Sequence, residues 1–407
     1  MQPGMAHGNG VPLIYLVAGE ASGDVLGARL MAALRERCPG AWFVGVGGPR
    51  MAEQGLDSLF PMADLAVMGI VEVIPRIRLL KRRLREIEAD LVARRPDMVV
   101  TIDSPGFMHR VLDMAAARAT RRVHYVAPQV WAWREHRVKH YPGLWDALLC
   151  LLPFEPAWFA RHGLEGVFVG HPVLESGAGG GDGERFRAAH GIGAGEQVLV
   201  LMPGSRRSEA PRLLPVFGRT LEILAREAPG VRPVLPVSGV VREVVERAVA
   251  SWPVRPVIVT EVQDKHDAYA AAGAALTKSG TSTLELALAG VPMAVTYRVN
   301  AVSAAMARRL IRVPHVAMVN LLAGRALVPE LLQGECNPRK LADTVMVLLQ
   351  DAGVASAQRA GFSEVLESLR PGSGVPSGAA ADAVLGVLGR AVSVASSSGA
   401  GGKPWFR

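Results

Sequence analysis

The sequence predicts an α/β protein made of two doubly wound, Rossmann-like parallel-sheet domains facing a central crevice. Three observations carry that prediction. Short apolar runs rich in β-branched residues alternate with longer helix-patterned stretches, the pattern of parallel strands joined by crossover helices. The alternation occurs twice, and the glycine-rich segment "SGAGGGDGE" at 176–184 separates the two rounds. The chain has 407 residues, more than one typical domain and enough for two cores.

In the first round, strands are expected at "LIYLVAG", "MVVTID", "RVHYVAP", "ALLCLL" and "GVFVG". The second offers "QVLVLMPGS", "RPVLPVS", "RPVIVTEV", "AALTKSG", "PMAVTYR" and "VAMVNLL". Domains are therefore expected over 1–175 and 185–369, with 176–184 as a flexible linker. A last helical pattern at about 381–392 is expected to pack back on the first domain, and the Ser/Gly-rich tail 393–407 to be disordered.

Composition narrows the function classes. No run approaches the ~18 apolar residues of a membrane span. The opening "MQPGMAHGNG" lacks the basic region of a secretory signal. Cys38, Cys150 and Cys336 are odd in number and far apart, which fits a reducing cytoplasm better than a disulfide framework or a CxxC metal site. The net charge of +8 asks for an anionic partner, but 5% aromatic content and the lack of a recognisable module speak against nucleic acid. No HExxH, DxD or CxxC occurs, so neither a catalytic metal nor a cofactor is expected.

Ligands of open α/β sheets bind beyond the carboxyl ends of the strands, so the polar residues there carry the functional signal. After the first strand, "AGEASGD" sets Glu20, Ser22 and Asp24 among glycines. Two carboxylates repel a phosphate, so this turn is expected to face hydroxyl groups, as on a sugar. Asp103 follows "MVVTI" and precedes "SPGF"; it reads either as a helix cap or as a general base with an apolar strand behind it. "PQVWAWREHRV" adds Gln129 and Trp133 as a sugar- or acyl-binding surface, against core packing as the usual role of tryptophan.

In the second round, "MPGSRRSE" brings Arg206 to a tight turn where it can reach an anion. "SGTSTLE" begins a helix at Ser279, Gly280 and Thr281, whose backbone N–H groups favour phosphate. Glu285 then either accepts both ribose hydroxyls or closes a capping box. Near the N-terminus, "MADLAVMGIVEVIPRIRLLKRRLREI" joins exposed-looking Leu65, Val67, Met68, Ile70 and Val71 to Lys81, Arg82 and Arg83, as an interfacial anchor on anionic lipid would. Its apolar stripe also fits a core helix.

Taken in order, "AGEASGD", "IDSPGF", "PQVWAWR", "LPFE", "GHP", "MPGSRRSE", "SGTSTLE" and "VNLLAGRALVPELLQ" resemble the lipid-A-disaccharide synthases, inverting glycosyltransferases of the GT-B fold, from about Leu13 to Cys336. The resemblance implies joining UDP-2,3-diacylglucosamine to 2,3-diacylglucosamine 1-phosphate with release of UDP, at the inner face of the inner membrane. It also implies Asp103 as base, and Arg206, Ser279 to Thr281, Glu285 and Asn320 as the UDP site. The base loop departs from the family pattern IDxPDFN, with Gly106 and Met108 replacing the second Asp and the Asn. Two competing readings are a peptidoglycan-precursor transferase of the same fold and a non-catalytic UDP- or lipid-binding module.

Overall fold

The structure is a computed structural model that describes residues 11–65, 70–206, 209–299 and 313–389. It divides into two compact units, Met1–Pro172 with Arg370–Arg407, and Val173–Leu369.

In the first unit, six parallel strands, β1 (Leu13–Ala18), β2 (Trp42–Val46), β3 (Met98–Ile102), β4 (Arg121–Tyr125), β5 (Ala147–Cys150) and β6 (Gly166–Phe168), lie in the order β2-β1-β3-β4-β5-β6. The strand β2 is absent from the sequence expectation. Its "WFVGV" carries an exposed tryptophan and a glycine that weaken the strand signal. That glycine is obligatory, because Gly45 has φ +127 and a Cβ there would stand 2.0 Å from the Leu16 carbonyl oxygen.

Every residue of β1 and β3 is buried, as expected of parallel strands covered on both faces. Ile14, Leu16 and Ala18 pack with Leu30, Met31 and Leu34 of α1 (Ala21–Arg37) and with Ala380, Ala381 and Val384. Tyr15 and Val17 face the other way, onto Leu84, Ile87 and Leu91 of α3 (Ile70–Arg94) and Val111 and Ala115 of α4 (Pro105–Ala116). The last helix among the described residues, Pro376–Leu388, thus completes the core of the first unit, with Asp382 accepting from Arg37 Nε at 2.5 Å.

The second unit repeats the plan with β7 (Gln197–Met202), β8 (Val231–Pro236), β9 (Val257–Val259), β10 (Ala272–Lys278), β11 (Met293–Tyr297) and β12 (Glu330–Leu332), ordered β12-β11-β10-β7-β8-β9. Here "VAMVNLL" is not a strand. It forms the helix Met318–Ala323, ended by Gly324 at φ +64, and the sixth strand comes from "ELL" downstream. A short apolar run does not distinguish the two states by periodicity, and Met, Leu and Ala favour the helix. Within 176–184, Gly179, Gly181 and Gly183 lie close against neighbouring backbone, whereas Gly180 has open space about it. A Cβ on Gly181 would lie 2.0 Å from the His266 carbonyl oxygen, and Asp182 caps the helix Gly183–His190 through the Arg185 N–H.

His109 of α4 forms one aromatic cluster with His124, Tyr141 and Trp145, in which His124 stacks on Trp145 at 5.7 Å. Burial lowers His124 to about 3, and lowers His109 and His171 to about 4. All three lie below the ordinary 6.5, so the unfolded chain takes up the extra protons, and stability is lost as pH falls from about 6.5 toward 4. Glu155 acts oppositely: burial lifts it to about 7, although Trp131 Nε1 and the Leu151 and Leu152 N–H groups all donate to it. Each group is worth about 1.4 kcal/mol per pH unit across its interval, so three imidazoles outweigh one carboxyl. The melting temperature is expected to fall steadily from pH 6.5 to pH 4; a flat profile would contradict buried neutral imidazoles.

Candidate active site

Each sheet has one place where successive crossovers leave in opposite directions. In the first unit it lies between β1 and β3, and in the second between β7 and β10. Strand ends diverge at such a switch point and leave room for a ligand. Glu20 and Ser22, Asp103, Arg206 and the Ser279–Thr281 turn follow these four strands.

At the first switch point, Ala18 pairs with Ile102, so the turns after β1 and β3 are neighbours. Asp103 and Ser104 both adopt left-handed backbone, φ +55 and +43, two consecutive strained residues where glycine would be the easy choice. The Asp103 N–H donates to the Tyr125 carbonyl at 2.9 Å, and its Oδ1 accepts from the Ser104 N–H at 2.8 Å. Pro105 then starts α4. Ser104 Oγ lies 3.5 Å from Glu20 Oε1, and a Cβ on Gly19 would meet Ser104 Oγ at 3.1 Å. The glycine turn is therefore shaped to admit the Asp103 loop. Of the two departures in that loop, only Met108 has a packing role. Met108 is fully buried under Gly19, while Gly106 is exposed with open space about it.

Ser22 is exposed on the first turn of α1, but Asp24 corrects the expectation. It is 3% exposed, and its carboxylate accepts from the backbone N–H groups of Gly48, Arg50 and Met51 at 2.9, 3.0 and 3.0 Å. Those are the unsatisfied donors at the start of α2 (Pro49–Glu53), so Asp24 caps that helix from inside the domain and faces no ligand. Gln129 and Trp133 are exposed just beyond β4, whereas Trp131 is buried against Glu155.

The basic helix α3 also divides. Lys81 and Arg82 are exposed, Arg82 with Glu86 at 3.5 Å on the helix surface. Arg83 is not available to lipid: it is ion-paired with Asp64 and Glu86, and its guanidinium lies 4.5 Å from the Phe60 ring centroid. Leu65 is buried rather than exposed. Val67 and Met68, the side chain of Ile70, and that of Val71 lie outside the described residues.

At the second switch point, Gly204 has φ +103, and the chain turns from β7 to bring Arg206 Nη1 within 2.9 Å of Glu209 Oε1. Lys278, the last residue of β10, approaches the same oxygen at 3.0 Å. One carboxylate thus holds two cations beside the Ser279–Thr281 turn. Lys278 and Glu209 were legible in the quoted motifs "LTKSG" and "GSRRSE" and were not singled out. Ser279 Oγ donates to the Val316 carbonyl at 2.6 Å, Gly280 has φ +152, and Thr281 directly precedes the helix Ser282–Leu288 without a side-chain cap bond. One turn on, Glu285 is held by Lys265 Nζ at 3.1 and 3.2 Å and by Tyr269 Oη at 3.2 Å. Burial keeps the Tyr269 phenol protonated far above its ordinary range, so it donates.

Asn320 is the second correction. It is fully buried, its Oδ1 accepts from the Leu327 and Val328 N–H groups, and its Nδ2 donates to the Val328 carbonyl and Glu330 Oε1. All of its amide hydrogen bonds are used within the unit. Glu330 also accepts from the Val316 and Ala317 N–H groups, so Asn320 and Glu330 fix the strand of chain on which Ser279 rests.

Solved structures share this architecture. A glycotransferase of kitacinnamycin matches with TM-score 0.65 and 17% identity, covering 93% of this chain and 99% of that one. The Neisseria meningitidis UDP-GlcNAc 2-epimerase bound to UDP-GlcNAc matches with TM-score 0.59 and 12% identity, over 88% of this chain and 99% of that one. Two six-stranded parallel sheets, each with its polar cluster at a switch point, define a protein of the GT-B glycosyltransferase fold. A family model described as Lipid-A-disaccharide synthetase matches residues 14–384. The curated lipid-A-disaccharide synthase of Gluconobacter oxydans is 60% identical over 95% of this chain and 93% of its own length, and that of Granulibacter bethesdensis 58% identical over 93% and 99%. The chain belongs to the lipid-A-disaccharide synthase family, UDP-sugar-dependent glycosyltransferases.

Proposed function

We propose that this enzyme transfers 2,3-diacylglucosamine from UDP to 2,3-diacylglucosamine 1-phosphate with inversion, using Asp103 as the base. The observation that carries the reading is the strained Asp103–Ser104 turn at the β1/β3 switch point, in reach of Glu20. Asp103 takes the proton of the acceptor hydroxyl as that oxygen attacks the anomeric carbon, and the bond to UDP breaks on the opposite face. Glu20, Ser22, Gln129 and Trp133 hold the acceptor sugar. Arg206 and the Ser279–Thr281 turn take the diphosphate of UDP, and Glu285 accepts the ribose hydroxyls. Incubation with both lipids, followed by mass spectrometry, is expected to show the acylated disaccharide 1-phosphate; turnover only with a peptidoglycan precursor would refute the substrate assignment.

Lys265 and Tyr269 leave lone pairs of Glu285 free, so Glu285→Ala is expected to weaken UDP binding about tenfold in calorimetry, through loss of a charged acceptor. Unchanged affinity would remove Glu285 from the ribose site.

Both lipids must be collected from a membrane surface, and among the described residues no helix is long and apolar enough to cross one. The exposed Lys81 and Arg82 on α3 are the candidate contacts with anionic headgroups, at about 1 kcal/mol each. Lys81→Glu with Arg82→Glu is expected to reduce co-sedimentation with anionic vesicles at least tenfold. Equal co-sedimentation of wild type and variant would refute the contact. Arg83→Glu is the uninformative choice, because it would break the largely buried pair with Asp64 and the contact with Phe60.

A further inference from the structure

Directly after Trp133 the chain makes a short 3-10 turn, Glu135–His140, which the Arg137 N–H closes onto the Arg134 carbonyl at 2.9 Å. Residues three apart eclipse one another in such a turn, at a spacing of about 6 Å. Arg134, Arg137 and His140 therefore rise along one face. Glu135 points elsewhere, to His162 Nε2 at 3.4 Å.

Three features separate this row from an ordinary solvated charge run. The Arg134 guanidinium lies 3.7 Å from the centroid of the exposed Trp133 ring, so stacking fixes the plane of its donors. Neither Arg134 nor Arg137 has a carboxylate within ion-pair distance among the described residues, whereas Arg118 and Arg122 of the same unit are paired with Glu88 and Asp146. The cations also act on one another: Arg134 is held below the ordinary guanidinium range by burial first and by Arg137 second. An ordered, partly desolvated Arg134 beside an exposed Arg137, both without a carboxylate partner, describes the free form of an anion site.

Its position links it to the reaction. Gln129 and Trp133 follow β4, the neighbour of β3. Arg137 is close enough to His109 to depress it, second to burial, and His109 lies on α4, which starts directly after Asp103 and Ser104.

We propose that Arg134 and Arg137, braced by Trp133, bind a sugar phosphate monoester, the anomeric phosphate of the acceptor; this rests on the acceptor reading above. A phosphate monoester carries nearly two negative charges and three acceptor oxygens, which two guanidinium forks match in number and direction. A phospholipid headgroup offers a diester with one charge and is the alternative source of the same chemistry.

The test compares 2,3-diacylglucosamine 1-phosphate with 2,3-diacylglucosamine as acceptors in detergent micelles, for wild type, R134A, R137A and the charge-keeping R134K and R137K. Wild type is expected to prefer the phosphorylated acceptor in kcat/KM. In R134A and R137A that preference should shrink by about 10- to 100-fold, with the lysine variants between. A preference retained in both alanine variants, or an equal loss on both acceptors, would overturn the proposal. So would a retained preference together with lost co-sedimentation on vesicles of phosphatidylcholine and phosphatidylglycerol, which would assign the row to headgroups. Wild type turning over neither acceptor would instead refute the acceptor reading, and this inference with it. The lysine variants separate loss of the site from loss of the fold.

Discussion

Asp103→Asn is expected to lower turnover by roughly a hundred- to ten-thousand-fold while UDP affinity and melting temperature stay near wild type. The amide keeps the shape, and its oxygen still accepts from the Ser104 N–H, so the left-handed turn persists. What disappears is the capacity to take a proton. His109, six residues on, is poorly placed to substitute as the base, because its Nε2 is buried without a partner and its ring packs against Tyr141 and Trp145. Glu20 stays near the same loop, so it is the residue to test if the Asn variant keeps more than about a third of normal turnover.

Arg206→Ala carries the second large effect, a turnover loss of roughly a hundred- to a thousand-fold, because negative charge grows on the leaving diphosphate as the glycosidic bond breaks. The structure adds a reason for the size. Glu209 holds both Arg206 and Lys278, so removing Arg206 leaves Lys278 paired to a carboxylate that no longer has a second cation to share. UDP affinity should fall as well, which separates this variant from Asp103→Asn. Rates and affinities matching wild type would take the diphosphate away from the β7/β10 switch point.

Much of this was readable from residues alone. The paired sheets follow from strand-sized apolar runs, and the switch-point clusters from polar residues set after them. The misreadings have a common physical origin, in that sequence shows what a side chain can do but not what has already engaged it. Asp24 sits among glycines and looks open, yet three N–H groups from a segment 24 to 27 residues away consume its carboxylate. Asn320 is consumed by a loop seven to ten residues on. Arg83 belongs to a basic run, but Asp64 and Glu86 take it. Conversely, Lys278 gains its significance only where β10 comes to lie beside β7 and Glu209. Strand β2 and the helix Met318–Ala323 show the other limit, since short segments take their state from the neighbours they pack against.

The central claim is that the nucleotide diphosphate belongs to the second unit and the acceptor sugar to the first. A crystal structure with UDP tests it most directly. The account predicts diphosphate oxygens within hydrogen-bond distance of Arg206 and the Ser279–Thr281 backbone, with the ribose hydroxyls at Glu285 and Asp103 free of nucleotide. Diphosphate density over the Gly19–Glu20 turn would contradict it.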